Sequence, residues 1–251
     1  LNAIRLILLN TGIFLLIRIV WIIAPSSVDG IVDTGALSPS FSMLATHPWA
    51  LLTYMFLHLD FWHMLVNMLW LSWFGLLLER VAGPRMVTGG YLAGGVAGGL
   101  CYILAGMVHG GVLNPGTCLL GASAATFAVV TATLICIPDK RIDIPAIGSF
   151  RLKWIASLGL ALFAAASLDM SGPQIAAHAG GAAAGIVAAV VWRSVTRRKM
   201  EHMKILAKKR VSHMALIEKT RKSGYASLSR AERMELFHTS SSENSFRATN
   251  F

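Results

Sequence analysis

The sequence predicts an all-α membrane protein, a bundle of six transmembrane helices. Three observations lead there. The 251 residues are 55% apolar and 14% charged, with a mean hydropathy of +0.62, whereas a soluble domain carries about a quarter charged residues. The apolar residues gather into runs of the length needed to cross a hydrocarbon core of roughly 30 Å. The chain also holds 23 glycines, a residue frequent in membrane helices. This composition argues against a soluble enzyme, a disulfide scaffold and a disordered chain. Cys101, Cys118 and Cys136 are odd in number and widely spaced, so neither a disulfide framework nor a zinc site follows.

The predicted spans are Leu6–Ala24, Phe61–Leu78, Met86–Val108, Ala122–Ile137, Leu152–Leu168 and Ile175–Trp192. The first has the character of a signal peptide's apolar region, but its length and the lack of a small-x-small cleavage site favour a retained span. Arg18 within it reads as a side chain snorkelling toward a headgroup region.

Charge sets the orientation. The net charge of +10 and pI near 10 would in a soluble protein suggest nucleic acid. Placed on the spans, the charges say otherwise. Residues 25–60, 109–121 and 169–174 carry Asp29, Asp33, Asp60 and Asp169 and no Lys or Arg. The opposite side carries 20 of the 22 basic residues, 14 of them from Arg193 onward. The positive-inside rule makes that side cytoplasmic. Both termini are then inside, and spans two, four and six descend from the outer face. Nucleic acid drops out as a partner; the lipid bilayer takes its place.

Ionisable or strongly polar residues inside a membrane are costly and point to function. No Asp or Glu lies within a span except Glu79, at the cytoplasmic margin of the second. Aspartyl chemistry, which needs two such carboxylates, is excluded, and no H-E-x-x-H metalloprotease pattern occurs. The polar residues singled out are His63 and Asn67 in span two, Ser123 opening span four, and His178 early in span six. His63 and Asn67 are four apart and share a helix face. All four fall near the outer ends of the descending spans. Singly, each has a plain structural reading: a back-bonded serine, a packed histidine, an asparagine joining helices. Together they offer a serine nucleophile, a histidine base and hydrogen-bond donors for an oxyanion. With no acid in the spans, the pair is a dyad. Gly181 and Gly185, and Gly90, Gly94 and Gly98, make small faces that let helices approach closely.

The chain resembles the rhomboid family of intramembrane serine proteases. The resemblance rests on His58-x4-His63-x3-Asn67, Gly121-x-Ser123 and Ala177-His178-x2-Gly181-x3-Gly185, in that order, and covers about residues 1–195. It implies Ser123 as nucleophile, His178 as general base, and His63 and Asn67 as holders of the oxyanion with the Ser123 backbone N–H. It gives His58 a more structural role in the first loop. It further implies transmembrane proteins as substrates, cut in or beside their membrane helices, in a bacterial cytoplasmic membrane with the site toward the outer face. No cofactor is implied, since the chemistry needs only water. Three departures stand out: Ala124 for the usual Gly, Phe127 for a Tyr that stacks on the catalytic histidine, and Trp49-Ala50 for a Trp-Arg pair. Phe127 keeps the ring and loses the hydroxyl. The rival readings are a catalytically silent relative that binds transmembrane helices, and a transporter, for which no internal repeat is seen.

Residues 25–60 read as a semi-buried loop, and His109–Gly116 as a flexible segment that helps admit water. Residues 196–251 form a basic tail. Its first helix, Arg197–Lys222, is partly amphipathic and ends at Gly224; a capping box at Ser229-x-x-Glu232 opens a second, to about His238. The stretch 239–251 reads as disordered. The tail's charge serves to anchor topology, to contact anionic lipid or to recruit a partner.

Overall fold

The computed structural model describes residues 1–108, 118–144, 148–166 and 171–236. The segment His109–Gly116, the last two residues of the fifth predicted span and the stretch 237–251 lie outside the described residues. Two compact units divide the chain, Leu1–Arg193 and Ser194–Phe251.

Helix α1 spans Asn2–Ile23, starting earlier than predicted because a distant carboxylate holds its first turn. Glu79 accepts the N–H groups of Asn2 at 2.9 Å and Ala3 at 3.0 Å. A helix begins with N–H groups that lack intrahelical partners, and an anion there also suits the helix dipole. Glu79 itself is buried.

Between α1 and the second long helix lie α2 (Ser26–Gly35), α3 (Phe41–Thr46), α4 (Ala50–Thr53) and a 3-10 turn at Tyr54–Phe56. This region is more ordered than the loop predicted from composition. Phe41, Met43 and Trp49 are exposed, but Leu37, Tyr54, Met55 and His58 are fully buried. Tyr54 Oη donates to the Gly95 carbonyl at 2.6 Å. Tyr91 Oη donates to the Met55 carbonyl at 3.0 Å and is met by Asn10 Nδ2 at 3.1 Å. Buried hydroxyls satisfied in this way tie the segment into the helix bundle.

Helix α5 (Phe61–Ala82) begins where predicted, since the Asp60 carboxylate caps it by accepting the His63 N–H at 2.6 Å. It ends at Gly83, whose φ of +86° suits glycine. Helix α6 (Pro84–Val108) opens on proline, whose missing N–H costs nothing at a first position. Helix α7 runs Ser123–Cys136.

An antiparallel hairpin, β1 (Arg141–Ile144) with β2 (Gly148–Arg151), joins α7 to α8 (Leu152–Ala166). These strands, which pair in only four residues each, carry no apolar run that would mark them in the sequence. Beside them, exposed Asp139 meets Arg151 at 3.2 Å and Lys153 at 2.9 Å.

The last long helix, α9, covers Gly172–Ser223 as one element, where the sequence suggested a span and a separate tail helix. No Gly or Pro lies between Gly185 and Gly224 to break it. Gly224 ends it with a φ of +75° and its N–H on the Thr220 carbonyl at 2.9 Å.

Among the described residues, four helices are long and apolar enough to cross a membrane: Asn2–Ile23, Phe61–Ala82, Pro84–Val108 and Gly172–Ser223. Ser123–Cys136 is apolar but shorter. The chain is an all-α membrane protein. Small residues set the spacing of α6 and α7. A Cβ on Gly94 would collide with the Ala128 side chain, and one on Gly98 would come 2.5 Å from Ala124 Cβ. Gly90, on the same stripe, has nothing within 4 Å.

Candidate active site

The site is built on the turn that precedes α7. Leu37 and Leu119 exchange backbone hydrogen bonds at 3.0 and 2.8 Å. Two residues further, the Gly121 N–H donates to the Tyr54 carbonyl at 2.9 Å, and the Ala122 N–H donates to His58 Nε2 at 3.1 Å. The first-loop segment thus holds the backbone on which Ser123 is carried. Burial beside His63 pushes the His58 pKa down to about 4, so the ring is neutral at pH 7 and its Nε2 remains an acceptor.

Gly121 is required for two reasons. Its φ of +109° disfavours a side chain, and a Cβ there would meet the His63 ring 2.5 Å from Cε1 and 3.1 Å from Nε2. His63 therefore packs against the turn itself. Its ring lies edge-on to that of His58, with centroids 5.4 Å apart.

Ser123 is the first residue of α7 and His178 sits in the second turn of α9. Both are buried, and His178 Nε2 lies 2.8 Å from Ser123 Oγ, a hydrogen bond. Glycine makes this approach feasible. A Cβ on Gly181 would collide with the Ala124 carbonyl oxygen and lie 2.8 Å from its carbon. One on Gly185 would collide with the Ala128 carbonyl. Thr131 fastens the same pair of helices, its hydroxyl within 3.0 Å of the Ala182 carbonyl. The Phe127 ring stacks on His178 at a centroid distance of 5.1 Å and a tilt of 27°. The phenyl ring thus occupies the stacking place that a tyrosine takes in the resemblance.

Asn67 lies one turn after His63 and donates one amide hydrogen back to the His63 carbonyl at 2.9 Å. It also lines a narrow, mainly apolar cleft with Val66, Trp70, Thr126, Phe127 and Val130. Trp70 reaches across to α8, where a Cβ on Gly159 would stand in its ring. Among the described residues, no group of three His, Cys, Asp or Glu is placed to hold a metal ion.

Sequence reasoning passed over several residues that support the site. Asn10 is a polar residue within the first predicted span, and its partner Tyr91 lies 81 positions away. Tyr54 was apolar by composition, and its carbonyl does the positioning. A polar residue in a span was the available signal for Asn10; none existed for Tyr54.

Arg18, expected to snorkel, makes polar and ring contacts within the protein. Its Nη2 donates to the Leu59 carbonyl at 2.6 Å, and its guanidinium lies over Phe14 at 5.2 Å and Trp21 at 5.7 Å. It steadies the turn between His58 and the Asp60 cap.

A buried serine hydrogen-bonded to histidine between two close apolar helices defines the class as a membrane protein with a serine–histidine site. The model of the Rhomboid domain matches residues 45–195, more than half of the chain, and the protein belongs to the rhomboid family. Members of that family are generally intramembrane serine proteases. No curated protein matches the chain.

Proposed function

We propose that this protein is an intramembrane serine endopeptidase that hydrolyses peptide bonds in or next to transmembrane helices, with Ser123 as nucleophile and His178 as general base. The observation that carries the proposal is the 2.8 Å hydrogen bond between His178 Nε2 and Ser123 Oγ. As the hydroxyl attacks the scissile carbonyl carbon, His178 takes its proton; it then returns that proton to the departing amine. Water repeats the sequence on the acyl-enzyme and releases the acid. Stacking on Phe127 helps to orient the imidazole.

The oxyanion is held by the Ser123 N–H at the positive end of α7, by His63 and by the second amide hydrogen of Asn67. Residues 1–195 form a six-span membrane domain and 196–251 a basic cytoplasmic tail. The protein sits in a bacterial cytoplasmic membrane with both termini inside and the site toward the outer face. Its partners are transmembrane protein substrates and the bilayer, with anionic lipid beside the tail. The length of α7 supports this depth: 14 residues rise only about 21 Å. A helix ending at the cytoplasmic boundary leaves Ser123 several ångströms inside a core of roughly 30 Å.

The test compares wild type with Ser123→Ala and His178→Ala on a model transmembrane substrate and a serine-directed fluorophosphonate. Cleavage and labelling vanish in both variants if the reading is right. Labelling that persists in Ser123→Ala sinks it. Asn67→Ala slows turnover about 10–1000-fold if it holds the oxyanion; an unchanged rate removes it from the site.

A further inference from the structure

The hairpin between α7 and α8 sets like charges against each other. Arg141 and Arg151 stand directly opposite in the antiparallel ladder, which puts their side chains on one face with Cβ atoms about 4.5–5.5 Å apart. Like charges so placed are destabilising. The segment 139–153 holds Lys140, Arg141, Arg151 and Lys153 against Asp139 and Asp143 alone. Asp139 is shared between Arg151 and Lys153, and among the described residues Arg141 has no ion pair. The bridge to Arg151 is itself exposed, with side-chain exposures of 50% and 64%, so it offsets little of the repulsion.

The arginine rung is also the base of the hairpin, next to the helix ends. Leu152, which follows Arg151, is fully buried and opens α8. Its N–H donates to the Lys140 carbonyl at 2.8 Å, and the Lys153 N–H donates to the Pro138 carbonyl at 3.2 Å. The rung is thus fastened to the first turn of α8. In that turn Trp154 is 64% exposed, with Lys153 Nζ 5.8 Å from its ring centre. An exposed tryptophan at the end of a membrane helix sits at headgroup level. The headgroup layer is roughly 5–7 Å deep on each side of the hydrocarbon core. A rung bonded to the turn that carries Trp154 lies inside it, and phosphate is the anion at hand there.

We infer that Arg141 and Arg151 form a binding site for the phosphate of an anionic phospholipid. A guanidinium is a planar fork whose N–H groups match phosphate oxygens in pairs. Two forks on one face bridge a single phosphate, and their mutual repulsion becomes a shared attachment. Lys140 and Lys153 add attraction. The excess of cations over carboxylates in the hairpin favours a headgroup with no ammonium of its own. The inference rests on reading α7 and α8 as membrane spans, and not on the chemistry of Ser123.

The experiment titrates the full chain in detergent with phosphatidylglycerol, or with phosphatidylcholine of the same acyl chains. Native mass spectrometry counts bound lipid, and thermal unfolding is followed in parallel. Wild type prefers phosphatidylglycerol about tenfold or more, and that lipid raises its Tm. Arg141→Gln breaks no described ion pair, so its lipid-free Tm does not fall, while its affinity for phosphatidylglycerol drops about tenfold. Arg141→Lys, a point charge without the fork, falls between the two. Arg221→Gln, an equal loss of charge far along α9, leaves affinity unchanged. Wild-type affinity in Arg141→Gln overturns the inference, as does an equal loss in Arg221→Gln. Full competition by inorganic phosphate overturns it in favour of a soluble phosphate ligand. Lipid brominated just below the headgroup should quench the emission that Trp154→Phe removes. Absent quenching overturns the span reading and the inference with it; quenching with wild-type affinity in Arg141→Gln overturns the inference alone.

Discussion

Gly181→Ala isolates the helix approach from the reacting groups. A Cβ at this position would lie 2.8 Å from the Ala124 carbonyl carbon and 3.0 Å from its Cα, with the oxygen nearer still; ordinary contact begins at 3.4 Å. Backbone cannot rotate aside as a side chain can, so α9 must withdraw from α7 by about half an ångström or more, and overpacking of this kind costs about 1–3 kcal/mol. Alanine's better helix propensity offsets roughly 1 kcal/mol. Stability therefore falls modestly. Turnover falls much further, because the 2.8 Å bond between Ser123 and His178 spans the same gap, and a misplacement near 1 Å costs roughly a hundredfold. Gly90→Ala is the control: nothing lies within 4 Å of its Cβ position, so it leaves activity unchanged and gains up to about 1 kcal/mol. The assay pairs substrate cleavage with thermal unfolding in the same detergent. Wild-type turnover in Gly181→Ala would refute the reasoning, as would an equal loss in Gly90→Ala.

Further predictions concern the scaffold and the turn. The folded pKa of His58, about 4, lies below the ordinary histidine value near 6.5. The unfolded chain takes up this proton first as pH falls. The contribution is thus complete above pH 6.5 and is lost toward pH 4, on the order of 3 kcal/mol. Denaturation profiles of wild type and His58→Gln should converge as pH drops through that window; parallel profiles would exclude the assignment. Glu79→Gln weakens the hold on α1 and costs about 1–2 kcal/mol, with turnover per folded molecule unchanged, as a calibrated fluorophosphonate titration would check. Gly121→Ala forces the strained φ and crowds His63, so it loses activity at least as severely as Asn67→Ala. Tolerance of alanine there would show that the turn does not set the His63 position.

The sequence made some features legible because their causes are local or periodic. Asp60 before Phe61 marks the start of α5, and Gly83 and Gly224 mark helix ends through backbone conformation. The small stripe of Gly181 and Gly185 foretold a close approach, and the structure adds which glycines matter: Gly94 and Gly98 are crowded, Gly90 is not. His63, Asn67, Ser123 and His178 could be picked out because polar groups in apolar runs are conspicuous. What stayed hidden depends on partners far away in the chain and often on backbone atoms. Glu79 looked like a marginal charge, yet it caps a helix 76 positions earlier. Tyr54 lay in a stretch whose composition gave only partial burial. The four-residue pairing of β1 and β2 was too short to register against the apolar spans.

The bonds that fix the turn ahead of Ser123 have a consequence for biogenesis. His58 stands 64 positions before the N–H that it receives, and α5 and α6 separate the two in the chain. The histidine that meets Ser123 comes 55 positions later. A nascent chain carrying the serine but not yet α9 lacks the serine's histidine partner. One whose first-loop segment has not docked has no fixed turn. On the proposed function, reactivity is acquired only at closure of the whole bundle, and a partly inserted chain is inert among the membrane proteins being made beside it.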